Sequence, residues 1–219
     1  MSRPDRPKPF LRLAGDRSPT HTDYYPIWSL LQDAGVPLVF HVGGNPLQLP
    51  KAWNNNGRAA TRDWMGGGEN VRARDAAVLH QGIETFVSMM VLDGVLEDFP
   101  RLKMASVELG AGFVPEMLVR LDQVHKAYSR VDDRLKGFTR TPSEQITEQM
   151  AFTPFVFEDP ARLIAQSNED LYLFSSDYPH TEGGRDPIAR FEACMVNSSR
   201  TGIDKFNSGN FLRIFANAG

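Results

Sequence analysis

Cysteine is nearly absent: Cys194 is the only one among 219 residues, which excludes an internal disulfide framework and suits a reducing, cytoplasmic setting. Long apolar runs are missing too. Stretches such as Val87 to Leu92 fall far short of the roughly 20 residues a membrane-spanning helix needs. The opening MSRPDRPKPFLRLAGDRSPT holds no apolar core of the secretory kind. Neither charge sign dominates, since 24 Lys and Arg stand against 27 Asp and Glu, so neither nucleic acid nor an anionic membrane is an expected partner. Internal repeats and low-complexity linkers are lacking as well. With 41% hydrophobic and 23% charged residues, one packed, soluble domain over residues 1–219 is expected. Two motifs are conspicuously missing. Gly43-Gly44 runs into Asn45-Pro46 rather than a G-x-G-x-x-G turn, which discards a doubly wound nucleotide-binding module. No His-x-His or Glu-x-His pair occurs; the histidines are His21, His41, His80, His125 and His180.

What is present is an alternation of strand, loop and helix. Tyr25 to Ala34 reads as a helix with Ile27, Leu30 and Leu31 on one face and Gly35 as its stop. Pro37 to Val42 is a short apolar run of the buried parallel-strand type. A long polar loop follows, from Asn45 to about Arg74, and then a helix from about Asp75 to Leu96. Leu102 to Val107 predicts a second strand. Val114 to Val131 predicts a helix whose stripe runs through Met117, Leu118, Leu121, Val124 and Tyr128. A weaker strand is expected near Thr147 to Phe152, a helix capped by Asp159-Pro160 to about Gln166, and a strand over Leu171 to Ser175. Helices over about Pro187 to Val196 and Asn210 to Asn217 complete the chain. Such alternation argues for a parallel α/β fold.

Three of the four strands end on ionisable residues: His41, Glu108 and Asp177. In α/β barrels the chemistry sits at the C-terminal strand ends. An imidazole and carboxylates converging there suit a divalent metal, which would lower the pKa of a bound water and polarise a carbonyl. Each residue alone has a plainer reading: a strand-end histidine satisfied by its neighbours, or a Ser-Asp-Tyr-Pro segment that only forms an Asx-type turn. His125 lies beside an apolar stripe and reads as structural. His21-Thr-Asp23 reads as an N-cap region in which Thr22 or Asp23 accepts backbone N–H bonds.

Four segments carry a more specific likeness: Pro37-Leu-Val-Phe-His-Val-Gly43, Gly94 to Lys103, Glu108-Leu-Gly-Ala-Gly-Phe-Val-Pro115 and Phe174-Ser-Ser-Asp-Tyr-Pro-His180. In order and spacing they resemble the amidohydrolase-2 family, the metal-dependent hydrolases and decarboxylases related to aminocarboxymuconate semialdehyde decarboxylase. Asn210 to Phe215 resembles that family's closing helix. The resemblance implies a partial (β/α)8 barrel comprising strands four or five to eight with their helices. It implies His41 and Asp177 as metal ligands, with Asp177 also moving protons. Zinc is the first expectation for the metal and manganese the second. Glu108 stands where the decarboxylase branch carries a histidine, which favours a hydrolase acting on a small carbonyl or carboxylate substrate over a decarboxylase. His180 would contact substrate, or else bond only to backbone. Arg62 and Trp64, with Trp53 and Arg58, would form a substrate lid in which Arg pairs with a carboxylate and Trp stacks on a ring; a variable surface loop is the plainer alternative.

Against the resemblance, the family's first-strand His-x-His is lacking, and Met1-Ser-Arg-Pro4 looks like the tail of its fourth strand. The expectation is a truncated barrel that binds metal weakly or not at all, or one chain of a split barrel. Its open edges would then be covered by a second copy or by a separate N-terminal chain.

Overall fold

The computed structural model describes residues 17–42, 52, 55–59, 76–178 and 183–216. A 3-10 turn at Thr22–Tyr24 leads in, and its cap differs from expectation. His21 is itself the N-cap, its Nδ1 accepting the Asp23 N–H at 3.1 Å. Neither Thr22 nor Asp23 takes that role, because the turn begins one residue earlier. Helix α1 (Tyr25–Ala34) then carries Pro26 in its first turn and stops at Gly35, whose φ of 67° is the left-handed conformation that a side chain resists. Trp28 is its buried anchor, whereas Leu30 faces outward.

Strand β1 (Leu38–His41) follows, and after the long loop comes helix α2 (His80–Leu92). Ile83, Phe86, Val87, Met90 and Val91 form the buried face of α2. The expected helix to Leu96 is in fact broken. Gly94, at φ 84°, ends α2 and starts the one-turn helix α3 (Val95–Asp98). Strand β2 (Met104–Val107) leads to helix α4 (Val114–Tyr128), with Val114, Met117, Leu118 and Leu121 buried. The apolar stripe does not persist to its predicted end, since Tyr128 and Val131 are exposed. The helix stops at Tyr128, and a short helix α5 (Asp133–Lys136) follows under an Asp132 cap.

Thr147 to Gln149, read as strand, belong instead to helix α6 (Pro142–Gln149). Thr141 and Glu144 form a reciprocal capping box and Pro142 opens the first turn, so local signals favour helix there. Strand β3 is only Met150–Phe152. Helix α7 (Pro160–Gln166) starts as expected at Asp159, which accepts the N–H groups of Ala161 and Arg162. Helices α8 (Pro187–Cys194), α9 (Arg200–Asp204) and α10 (Asn210–Phe215) complete the described chain, with a π-helical turn at Lys205–Gly209 joining the last two.

The three strands form one parallel sheet in the order β1-β2-β3, with His41 paired to Val107 and Ser106 to Phe152. The expected strand at Leu171 to Ser175 contributes one parallel bridge, Tyr172 to Phe152. There the Leu173 N–H bonds to Phe152 O at 2.9 Å, and on the opposite edge the Phe174 N–H bonds to Phe206 O at 2.9 Å. The two faces of the sheet differ. Phe40, Met104, Met150 and Phe152 point into the main core shared with the helices. Ala105, Ala151 and Leu173 point the other way and gather with Ile214 of α10 into a second cluster. Each fully buried large apolar side chain contributes about 1.5–3 kcal/mol, so the helix-covered face carries most of the stability. Below the sheet, Arg213 donates to the carbonyl oxygens of Glu148, Met150 and Asp170 and ties α10 to the strand entrances. This is an α/β fold with parallel strands, as a partial (β/α)8 barrel requires. No described helix is long and apolar enough to cross a membrane.

Candidate active site at the strand ends

Because β1 and β2 run in register, their exits lie side by side. His41 is the last residue of β1, and Glu108 is the first beyond β2. The two side chains meet, His41 Nε2 lying 3.1 Å from Glu108 Oε1. His41 is 56% exposed and Glu108 19%, so the pair sits at a mouth open to solvent on the histidine side. The other ring nitrogen, Nδ1, lies 2.5 Å from Val42 O. A carbonyl only accepts, so Nδ1 carries the proton and Nε2 is the nitrogen turned to Glu108. With a second proton on the ring the contact is an ion pair. Without it, a lone pair and a carboxylate face one another, an arrangement that suits a cation.

Asp177 follows the single-bridge segment after β3. It shares one feature with Glu108. Among the described residues these two are the non-glycine residues with positive φ, 58° for Glu108 and 54° for Asp177. A left-handed backbone costs an ordinary residue about 1–2 kcal/mol, and such strain clusters at functional sites. The chain after Asp177 returns close by. A side chain at Gly183 would collide with Ser176 O and lie 3.0 Å from the Asp177 Cβ, so only glycine fits there.

The structure brings His41 and Glu108 together. Among the described residues, however, no three His, Cys, Asp or Glu side chains gather closely enough to hold a metal ion. The donor types therefore fit a divalent metal, while their number is short of the three usual in catalytic sites. His180, Arg62 and Trp64 lie outside the described residues, as does Trp53. Arg58 is described and exposed. His125 is structural as expected, with Nε2 2.9 Å from Leu135 O and its ring stacked on Phe138. His80 opens α2, stacks on Phe113 at 5.4 Å and lies 3.9 Å from Glu84. Burial holds His80 below the ordinary imidazole range, and the Glu158 carboxylate works against that shift.

Two residues that sequence reading passed over support the strand ends. The Thr153 hydroxyl oxygen accepts the Glu108 N–H at 3.1 Å. Glu158 accepts three backbone N–H groups, from Ala111 at 2.9 Å, Gly112 at 2.8 Å and Phe155 at 2.8 Å. Thr153 directly follows β3 and was open to notice as a polar strand end. Glu158 gave no such signal, because its partners are backbone groups.

Ionisable side chains at the exits of parallel strands, two of them on left-handed backbone, occupy the end of the sheet where α/β barrels carry their chemistry. The sequence specifies which kind: the chain belongs to the amidohydrolase family, whose model matches residues 8–194. Among solved structures it is similar to an amidohydrolase from Mycobacterium avium subsp. paratuberculosis, at 27% identity and a TM-score of 0.71 over 90% of this chain and 47% of that one. It is similar as well to a 5-carboxyvanillate decarboxylase from Novosphingobium aromaticivorans, complexed with manganese and 4-hydroxy-3-methoxy-5-nitrobenzoic acid (18% identity, TM-score 0.63, 91% of this chain and 53% of that one). A third is a dihydroxybenzoic acid decarboxylase from Polaromonas sp. JS666 with bound manganese and 2-nitroresorcinol (19% identity, TM-score 0.61, 95% of this chain and 58% of that one). The chain thus spans about half the length of the solved structures it matches. No functionally curated protein matches the sequence.

Proposed function

We propose that this chain supplies part of a divalent-metal-dependent active site that removes carbon dioxide from a small aromatic carboxylate. The observation that carries the proposal is the contact of His41 with Glu108 at the mouth of the parallel sheet. Decarboxylation takes precedence over the hydrolysis that Glu108 first suggested, because two of the similar structures are decarboxylases of hydroxylated benzoates. Their manganese makes that metal the first to test and zinc the second. In barrel terms the described strands would be the fifth to seventh, with the Tyr172 bridge marking the eighth.

His41 Nε2 and the Asp177 carboxylate would hold the metal, and the remaining ligands would come from outside the described residues. When bound, the metal supplies positive charge that draws in the substrate's oxygens. The chemistry left to the chain is proton transfer. The Asp177 carboxylate takes up a proton from solvent and passes it to the ring carbon bearing the substrate's carboxylate. The bond to that carboxylate then breaks, its electron pair restores the aromatic ring, carbon dioxide leaves, and Asp177 is again ionised. Glu108, anchored through His41 and the Thr153 hydroxyl, orients the substrate's polar group. Its carboxylate also favours a second reading: with a carbonyl substrate, Glu108 is placed to take a proton from an attacking water, which would make the same frame a hydrolase.

The test measures carbon dioxide release from a panel of ortho- and para-hydroxybenzoates by the full gene product carrying this chain, with added Mn2+. Asp177→Asn should lower turnover by about 10²–10⁴-fold without altering the far-ultraviolet dichroism. Unchanged turnover in that variant, or amide or ester hydrolysis without carbon dioxide, would overturn the reading.

A further inference from the structure

We infer that Glu158 is a positioning residue: it clamps the loop after β2 onto the loop after β3 and thereby fixes Glu108 at the strand-end site. The inference rests on the reading of Glu108 as part of the active site. A left-handed residue with a long side chain persists only where its surroundings over-determine it, and Glu108 is such a residue at φ 58°. On its N-terminal side it is held by Thr153, whose hydroxyl oxygen accepts the Glu108 N–H. On the other side the chain runs through Leu109, which is buried, and Gly110, itself left-handed at φ 73°. It reaches Ala111 and Gly112, whose N–H groups both end on Glu158, Ala111 on Oε2 and Gly112 on Oε1.

The anchor is itself rigid. Glu158 Oε2 also accepts the Phe155 N–H, and the Glu158 N–H donates back to Phe155 O at 2.9 Å, so the turn closes on itself. Asp159 caps α7 immediately afterwards. The fit between the two loops is mutual. A side chain at Gly110 would lie 2.7 Å from the Phe155 ring, and one at Gly112 would lie 2.7 Å from Glu158 Oε1. Gly110 is therefore demanded by the Phe155–Glu158 turn, and a side chain at Gly112 would displace the Glu158 carboxylate. A carboxylate serving only as a helix cap would satisfy the first turn of one helix, as Asp159 does. Glu158 joins two strand-end loops, and its partners stand two and three residues before α4 begins at Val114. Hydrogen bonds to a charged acceptor are the strong kind, and three of them converge here.

Three variants separate positioning from simple stabilisation. Glu158→Gln keeps the shape but turns an amide NH2 toward backbone donors. Glu158→Asp keeps the charge and withdraws it by one methylene. Asp159→Ala removes the neighbouring cap and leaves the clamp. Amide hydrogen exchange should accelerate about 10–100-fold at Ala111, Gly112 and Phe155 in Glu158→Gln. Leu118 and Leu121 of α4 should change no more than they do in Asp159→Ala, and Glu158→Asp should fall between wild type and Glu158→Gln. A crystal structure of Glu158→Gln should find Glu108 out of the left-handed region and separated from His41. In the full gene product, kcat should fall at least about tenfold with KM little changed, while Asp159→Ala retains kcat. Exchange that rises uniformly, or Glu108 still in place beside His41, would overturn the inference. Absence of turnover in the wild type would instead overturn the proposed chemistry, and exchange and coordinates would still decide the role of Glu158.

Discussion

Gly110→Ala combines backbone strain and steric collision in one measurement. Two effects add at that position. The first is backbone: φ is 73°, and a left-handed residue with a Cβ loses about 1–2 kcal/mol. The second is collision, because the new methyl group would stand 2.7 and 2.8 Å from two atoms of the Phe155 ring. That ring stacks on Phe157 and its backbone is held by Glu158, so it has little freedom to retreat. Overpacking of this kind costs about 1–3 kcal/mol, for a total of roughly 2–5 kcal/mol. Gly184→Ala is the reference. Its φ is 76°, nearly the same, but the nearest atom, on Val156, is 3.9 Å away in ordinary contact. Each substitution also stiffens the unfolded chain, which returns about 0.4–1 kcal/mol, and that gain cancels between the two. Urea denaturation followed by tryptophan fluorescence should therefore show Gly110→Ala less stable than Gly184→Ala by about 1–3 kcal/mol. Adding Phe155→Leu should recover part of the difference. Equal losses within about 0.5 kcal/mol, or no recovery, would refute the collision and with it the closeness of the two strand-end loops.

Two further predictions concern stability. Thr141→Ala should cost about 1 kcal/mol in thermal or urea unfolding, since it removes the side-chain half of the α6 capping box. Hydrogen bonds from the Thr141 backbone and hydroxyl hold the Glu144 carboxyl below its ordinary range. A depressed carboxylate stabilises the fold above its unfolded value and loses that contribution as pH falls through its folded value, so an acid titration of stability should be shallower in Thr141→Ala. Tyr172 behaves in the opposite sense, because burial pushes its hydroxyl up to about 12. Its contribution is intact below the usual tyrosine value near 10 and is lost as pH rises from there towards about 12. Tyr172→Phe should remove that alkaline slope and cost about 1 kcal/mol at neutral pH through the lost bond to Ser167, and an unchanged slope would contradict the assignment.

Where the sequence was legible, one residue carried one strong local preference. Gly35 stops α1 and Asp159-Pro160 starts α7 as expected, because left-handed backbone and N-caps restrict residue type sharply. His41 and Glu108 stood out because each closes an apolar run, and the in-register pairing of β1 with β2 brings them into contact. The misreadings arose where local and tertiary signals competed. Apolar residues on both sides of Gly94 read as one helix, although its left-handed backbone divides α2 from α3. Thr147 to Gln149 follow the capping box of Thr141 and Glu144, and that signal outweighed the apolar run beyond them. The segment at Leu171 was apolar enough for a strand, but Tyr172 makes its one bridge to β3. Glu158 was invisible for a different reason: a cradle of backbone N–H groups leaves no pattern of residue types to read.

The left-handed backbone at Glu108 and Asp177 also bears on how this chain would respond to selection. At such positions glycine is free of strain and asparagine or aspartate suffers least, so a long glutamate at φ 58° is among the least favoured choices for folding alone. A lineage screened only for heat resistance would gain backbone freedom from glycine at Glu108 and would give up the contact with His41. On the proposed function, keeping an acidic side chain at both places exchanges some durability for chemistry.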